Sequence, residues 1–233
     1  THKTSSAASD VYKRQGYPAP AYLGATYLGT YRTTAEIDAD GVVGSVLGGP
    51  RYVDLDGNGA INQLDFVVHG DPNPDFYGGL RNTLTYKDFT LDFFFHGSYG
   101  NEILNAAYHL GYFGRDPRSN LLPIVKDRWT TSNQNSDIPR AGSSFGNYQQ
   151  RSDVSYQDGS FLRLKNVTLT YDLDIPGMKR ASVYLTGNNL LLFTKFTHGD
   201  PEQSNYGDGL AQGVANGGYP YNSSFALGFN LTL

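Results

Sequence analysis

The chain has 233 residues, with 18 lysines and arginines against 22 aspartates and glutamates for a net charge of −4, and with no basic stripe to neutralise phosphates this argues against a nucleic-acid partner. It contains no cysteine, which removes both a disulfide framework and a thiolate metal site. No apolar run approaches the ~20 residues of a membrane helix, while 18 Tyr, 13 Phe, 28 Gly and a mean hydropathy of −0.44 suit either an outer-membrane β-barrel or a soluble lectin-like β protein.

Residues 1–15 match neither a signal peptide, which needs an apolar central stretch, nor the aromatic-rich sequence that follows. Asp10-Val-Tyr-Lys-Arg-Gln15 back-translates as GAT GTG TAT AAG AGA CAG, similar to a transposon-end adapter used in sequencing libraries. The expectation is a non-native, adapter-derived segment over 1–15 and native sequence over 16–233; a short polar disordered terminus is the alternative.

Next comes the sharpest local motif, Asp54-Leu-Asp56-Gly-Asn58-Gly59-Ala60-Ile61-Asn62-Gln-Leu-Asp65. Oxygen-bearing side chains stand at positions one, three, five, nine and twelve, with Gly at six and an apolar residue at eight, the spacing of a calcium loop. The candidate metal ligands are Asp54, Asp56, Asn58, Ala60 through its carbonyl, Asn62 and Asp65, with Ca2+ favoured over magnesium because several carboxylates offer an all-protein cage. Position twelve departs from the usual bidentate Glu, and no strong helix pattern flanks the loop. An Asx-rich turn at a strand end reads the same residues without a metal.

The remainder reads as strands of period two. Leu80–Tyr86 and Phe89–Phe95 predict a hairpin about Lys87-Asp88, and Phe161–Leu173 and Ala181–Thr194 a second about Pro176-Gly177. The spacing also predicts long connections over 97–159 and 198–221, with a short helix within 120–130. Phe225, Leu227, Phe229, Leu231 and Leu233 fall on one face of a last strand. Such a strand would be a sticky edge in a soluble domain but a stave in a closed barrel. Short turns then lie on the periplasmic side and long connections outside.

Taken together and in order, Asp54–Asp65, Gly70–Gly79, Phe94–Asn101, Asp158–Tyr171, Thr186-Gly-Asn-Asn-Leu190, Asp200-Pro-Glu202 and Gly218-Tyr-Pro220 resemble the C-terminal barrel of SusC/RagA-type TonB-linked outer-membrane transporters. Gly16 to Ile37 looks like the segment upstream of the calcium-like loop in that family. The resemblance implies an all-β fold: a partial transmembrane antiparallel barrel, the C-terminal strands of 22 around a plug. On that reading the chain is a fragment lacking signal peptide, TonB-box region, plug and most of the barrel. The family implies nutrient uptake in the outer membrane of a Gram-negative bacterium, with a SusD-like lipoprotein lid, the TonB complex, an oligosaccharide or peptide substrate, and surrounding lipid. Leu233 stands where the family commonly ends in an aromatic.

The rival readings are weaker. His2, His69, His96, His109 and His198 lack metal-ligand spacing, and neither a Gly-x-Ser-x-Gly elbow nor a His-Glu-x-x-His motif occurs, so no enzyme is expected. A soluble calcium-dependent glycan-binding β module shares the loop and the aromatics, but gives no reason for a lipid-type final strand. Tyr108, Tyr112, Phe113 and Tyr148 are available to stack on sugars or to pack loops. Asn166, Asn222 and Asn230 match a glycosylation pattern that a bacterial envelope would not use in the eukaryotic way.

Overall fold

The computed structural model describes residues 11–12, 16–17, 21–113, 120–141, 152–202, 213–219 and 221–232. In chain order the strands are β1 (Val11–Tyr12), β2 (Ala21–Gly24), β3 (Tyr27–Thr30), β4 (Pro50–Tyr52), β5 (Val67–Gly70), β6 (Phe76–Tyr86) and β7 (Phe89–Tyr99). They continue as β8 (Glu102–Asn105), β9 (Tyr156–Asp158), β10 (Phe161–Leu173), β11 (Arg180–Thr194), β12 (Val214–Ala215) and β13 (Ser224–Thr232). Among the described residues the α-helices are α1 (Thr34–Asp40) and α2 (Ala106–Phe113). Of the expected adapter segment only Val11 and Tyr12 are described, paired with β2, and the rest of it lies outside the described residues. The chain divides into one unit of 1–72, 102–157 and 203–218 and another of 73–101, 158–202 and 219–233.

The second unit is a five-stranded antiparallel meander in the order β6-β7-β10-β11-β13. Its register turns the period-two pattern of each strand into continuous rows. Leu84, Leu91, Leu169, Leu185 and Leu227 stand opposite one another across all five strands. Asn82, Phe93, Val167, Gly187 and Phe225 form the next row on that face. The opposite face carries Thr83, Asp92, Thr168 and Thr186, where Thr83 donates to Asp92 at 2.7 Å and the Thr168 and Thr186 hydroxyls meet at 2.9 Å. One face is therefore apolar and the other hydrogen-bonded, which is the division a lipid-facing barrel wall requires.

Aromatic residues mark both ends of the apolar face. Tyr86, Phe89 and Tyr171 share a row beside the Lys87-Asp88 turn, and Phe76 and Tyr99 pair ten residues further along β6. Ten residues of strand span about 34 Å, or about 25 Å of height at a tilt near 45°, the height of an apolar band between girdles. Both tight turns lie at one end of the sheet, since Asp172 N donates to the Asp88 carbonyl at 2.8 Å. The second turn closes through Met178 N to the Ile175 carbonyl at 3.1 Å, with Gly177 at φ +90° after Pro176, the Pro-Gly chemistry of a type II turn. The strands outrun their expected limits: β6 begins at Phe76 and β7 continues to Tyr99.

A bulge at Lys165 explains a phase change within β10. Leu164 pairs with Phe95 and Asn166 with Phe94, so Lys165 is the extra residue. Leu162 and Leu164 before it, and Val167, Leu169 and Tyr171 after it, consequently share the apolar face.

Opposite that face, Arg163 is 2% exposed and gathers a buried ion cluster. Its Nη2 donates to both oxygens of Asp200 at 2.6 and 2.7 Å, and its Nε lies 2.5 Å from Glu202. His96 Nε2 lies 3.0 Å and Lys165 Nζ 3.7 Å from the other Glu202 oxygen. Lys165 and Arg163 stand over the Tyr221 ring at 4.7 and 5.4 Å. The Asp200-Pro-Glu202 segment is thereby folded back onto the polar face of the sheet.

The first unit is built around short strands and corrects the expectation of plain long loops. Residues 102–113 form β8 and α2, and residues 120–141 include a 3-10 turn over Pro123–Asp127, where the sequence predicted a helix within 120–130. The reason is burial: Tyr112, Phe113 and Ile138 pack as one cluster with Tyr108, Leu122 and Val154 beside them. These aromatics pack a loop core instead of lining a sugar platform, and Tyr148 lies outside the described residues. Trp129 lies against Gly48, whose φ of +70° and missing Cβ admit the indole. Helix α1 was not anticipated, although Thr33 and Glu36 form its reciprocal capping box and Gly41 ends it at φ 64°.

Buried phenols tie this unit together. Tyr22 donates to the Gly213 carbonyl at 2.8 Å, Tyr27 to Asp137 at 2.5 Å and Tyr156 to Leu23 at 2.8 Å. Desolvation pushes the Tyr22, Tyr27 and Tyr52 phenols far above their ordinary value and Tyr112 up to about 12.

Two expected outcomes follow from this packing. Folded-state values above the free phenol's 10.0 stabilise the unit below that pH, and the contribution declines as pH rises toward the folded values. The last phenolate absorbance to appear, that of the buried tyrosines, should therefore rise together with loss of near-ultraviolet dichroism above about pH 10; complete ionisation of the tyrosines with the dichroism intact would contradict this. In the sheet, Asp200→Ala leaves the Arg163 guanidinium buried against Glu202 alone and should cost about 3–5 kcal/mol in urea unfolding.

Candidate metal centre in the Asp54–Asp65 loop

Residues 54–65 are held from both ends. Ile61, 5% exposed, packs with Ala25, Val42 and Tyr52, so the apolar eighth position anchors the loop in the first unit. On the far side Val43 N donates to the Gly59 carbonyl at 2.9 Å, just beyond the Gly41 cap of α1. Arg51 closes the frame by donating to both Asp40 oxygens at 2.7 and 2.9 Å.

Within this frame oxygens of Asp54, Asp56 and Asp65 all lie within 4.8 Å of one another. Calcium binds oxygen at about 2.3–2.6 Å, so ligands across one ion can stand about 5 Å apart and the three carboxylates fit a single cation. Asp65 is fully buried and accepts from Leu55 N at 2.8 Å and Asn62 N at 2.7 Å. Asp54 accepts from Gly59 N at 2.8 Å and Gly57 N at 2.9 Å. The Gly59 N–H leads in holding the Asp54 carboxyl below the ordinary carboxylate range, against the opposing effect of desolvation. Each carboxylate oxygen keeps a second lone pair for a cation.

The other three sequence-derived ligands are occupied locally. Asn58 Oδ1 accepts from Ala60 N at 2.8 Å and its amide donates to Asp56 at 2.7 Å. Asn62 Oδ1 accepts from Leu64 N at 2.9 Å, opening the 3-10 turn Gln63–Asp65, and its amide donates to the Ala60 carbonyl at 2.9 Å. The structure thus gathers Asp54, Asp56 and Asp65 and leaves Asn58, Ala60 and Asn62 in an Asx-turn network. Sequence spacing missed the Arg163, Asp200 and Glu202 cluster, because 37 residues separate Arg163 from Asp200. The signal available was Arg163 and Lys165 alternating with leucines near the start of a strand.

No protein-family model matches the chain. TonB-dependent receptor P26 of Formosa agariphila is 40% identical over 227 residues, covering 93% of this chain and 23% of that protein. TonB-dependent receptor P3 of the same organism is 34% identical over 235 residues, and TonB-dependent receptor SusC of Bacteroides thetaiotaomicron is 25% identical over 186. Among solved structures, the RagAB peptide transporter superposes with a TM-score of 0.71 at 22% identity, over 92% of this chain and 23% of that one. The RagAB peptide importer in its closed-closed state gives 0.72 over 96% of this chain. The chain spans under a quarter of the length of the curated relatives it matches. Its aligned rows, its bulged strand order and these relatives make it a barrel segment of a SusC/RagA-type TonB-dependent receptor.

Proposed function

We propose that the chain supplies wall strands and connecting segments to an outer-membrane importer of a Gram-negative bacterium, which takes up oligosaccharides or peptides beneath a SusD-like lipoprotein lid and is driven through TonB. The observation that carries this reading is the five-leucine row, in which Leu91 is half-buried and the other four are exposed, among them Leu84 at 55%, Leu185 at 49% and Leu227 at 67%. Water would disfavour such a face, and lipid accepts it. The soluble glycan-binding alternative leaves that face without a solvent. Transport, not chemistry, is the role: within the described residues the carboxylate cluster is a loop site, and the His96–Glu202 contact belongs to the buried ion cluster.

In this importer the Asp54–Asp65 loop holds a calcium ion through Asp54, Asp56 and Asp65 and orders the external rim on which the lipoprotein lid docks. The support is the convergence of three carboxylates in a frame anchored by Ile61. The cation would draw the three like charges together, and its hard charge suits their oxygens.

Three measurements test the proposal. Deleting the complete reading frame in its host should abolish growth on an oligosaccharide or a peptide source, and pull-down should recover a lipoprotein encoded beside it; growth unchanged on every such source overturns the import reading. Leu169→Arg, in the central strand, should cost about 2–4 kcal/mol in vesicle-embedded receptor and less in detergent. Calorimetric titration of the full receptor with calcium should lose its binding heat in an Asp54→Ala, Asp56→Ala double variant, and equal heats would remove the metal from the account. Since Asp54 stays ionised below its ordinary 3.8, its share of binding should persist at that pH and vanish only in stronger acid.

A further inference from the structure

Asn58 precedes Gly59 on the water-exposed side of the Asp54–Asp65 loop, and this pair carries a chemistry distinct from cation binding. The carbonyl carbon of an asparagine side chain can close a five-membered ring with the backbone nitrogen that follows it, and a glycine there adds no Cβ to hinder the closure. Gly59 N can therefore attack Asn58 Cγ. The N–Cγ bond forms, the Cγ–Nδ2 bond breaks, the Gly59 amide proton leaves with Nδ2 as ammonia, and a succinimide remains. Water then opens either ring carbonyl to give aspartate or its β-linked isomer, with no oxidant or reductant needed. Asn58 is exposed, so water reaches it.

In the folded loop each reacting atom is already engaged. The N–H of the nucleophile donates to Asp54 Oδ2 at 2.8 Å. The leaving amide donates to Asp56 Oδ2 at 2.7 Å, and Asn58 Oδ1 accepts from Ala60 N at 2.8 Å. The first contact opposes ring closure, because Gly59 N must give up its proton to attack and a hydrogen bond to a carboxylate is about twice as strong as a neutral one. Charge opposes it as well. Negative charge builds on the nitrogen and on Oδ1 as the ring closes, beside carboxylate oxygens of Asp54, Asp56 and Asp65 that lie within 4.8 Å of one another. Ala60 N–H acts in the other direction, since it would stabilise an anionic Oδ1. One neutral donor is outweighed by an ionic hydrogen bond and three like charges.

We propose that Asn58 is a deamidation site guarded by Asp54, whose hydrogen bond to Gly59 N keeps the nucleophile protonated. Loss of that bond opens the loop to a covalent change at Asn58. The β-linked product adds one atom to the backbone ahead of Gly59 and so displaces Ala60 N from the oxygen it now binds. The guard operates in the cation-free loop and is independent of the calcium reading.

The test follows position 58 in the complete receptor, held in detergent with a chelator so that no divalent cation contributes, by peptide mass spectrometry that separates aspartate from its β-linked isomer. Folded wild type should convert more slowly than the same protein in urea. Asp54→Ala should speed conversion about tenfold, the scale of one hydrogen bond to a charged group. Asp54→Asn, isosteric and uncharged, should fall between the two, and Asp56→Ala, which leaves the bond to Gly59 N in place, should accelerate conversion less than Asp54→Ala. Equal rates in folded and urea-unfolded wild type, no acceleration by Asp54→Ala, or equal acceleration by Asp54→Ala and Asp56→Ala would each overturn the proposal. If Asp54→Ala does not fold, Asp54→Asn carries the test, and a rate equal to wild type overturns it.

Discussion

Backbone hydrogen bonding between antiparallel strands is the constraint on which the rest of the second unit depends. An unpaired amide costs several kcal/mol in hydrocarbon, so each strand must be in register with its neighbours along its whole length. Register then fixes which side chains share a row, and a slip of one residue would move the leucines of β11 to the polar face. The five leucines from Leu84 to Leu227 coincide because every pairing between them holds the same register. The Lys165 bulge is compatible with this constraint because it absorbs one residue and returns β10 to the same phase.

The polar face is organised by a different balance. A lone guanidinium buried as deeply as Arg163 would cost more than its Coulomb attraction returns, unless its donors are met. Asp200 accepts both bonds from Nη2 and Glu202 brings its charge to 2.5 Å from Nε, and both acids arrive from the same short connection, so the pairing fixes a loop as well as a charge. Two acids face an arginine and a lysine, and the Tyr221 ring covers both cations. A well-packed apolar replacement could match the cluster in stability, but it would not specify where residues 196–202 lie. The ion cluster therefore selects a loop position more than it stabilises a fold.

The long strands were legible in the sequence because period two is a local signal and each apolar residue reports its own face. The limits of β10 and the two tight turns came directly from alternation and from Lys87-Asp88 and Pro176-Gly177. The first unit was not legible, since its strands run only two to four residues, too short for a period to appear. Its order comes from contacts distant in sequence, such as the Tyr27 hydroxyl on Asp137. Helix α1 is the instructive miss: the Thr33 and Glu36 box was readable, but none of its seven residues is buried, so no amphipathic stripe accompanied the cap. In the Asp54–Asp65 loop, spacing brought out the acidic residues whose oxygens converge but could not show that Asn58 and Asn62 are turned to the backbone.

That loop bears on what a cation would contribute. Asp54 and Asp56 stand toward water, where screening weakens their mutual repulsion, and backbone N–H groups from Leu55, Gly57, Asn58, Gly59 and Asn62 already accompany the three carboxylates. Asp65 alone is fully buried, and it accepts from Leu55 N and, as the N3 acid of a capping box, from Asn62 N. The loop consequently holds its turn by hydrogen bonds, with Ile61 as its anchor. A calcium ion here would act on the exposed half, drawing Asp54 and Asp56 toward the fixed Asp65. On the proposed reading it would stiffen the loop without being needed to fold it, a property suited to a rim that presents a constant face to a docking lid.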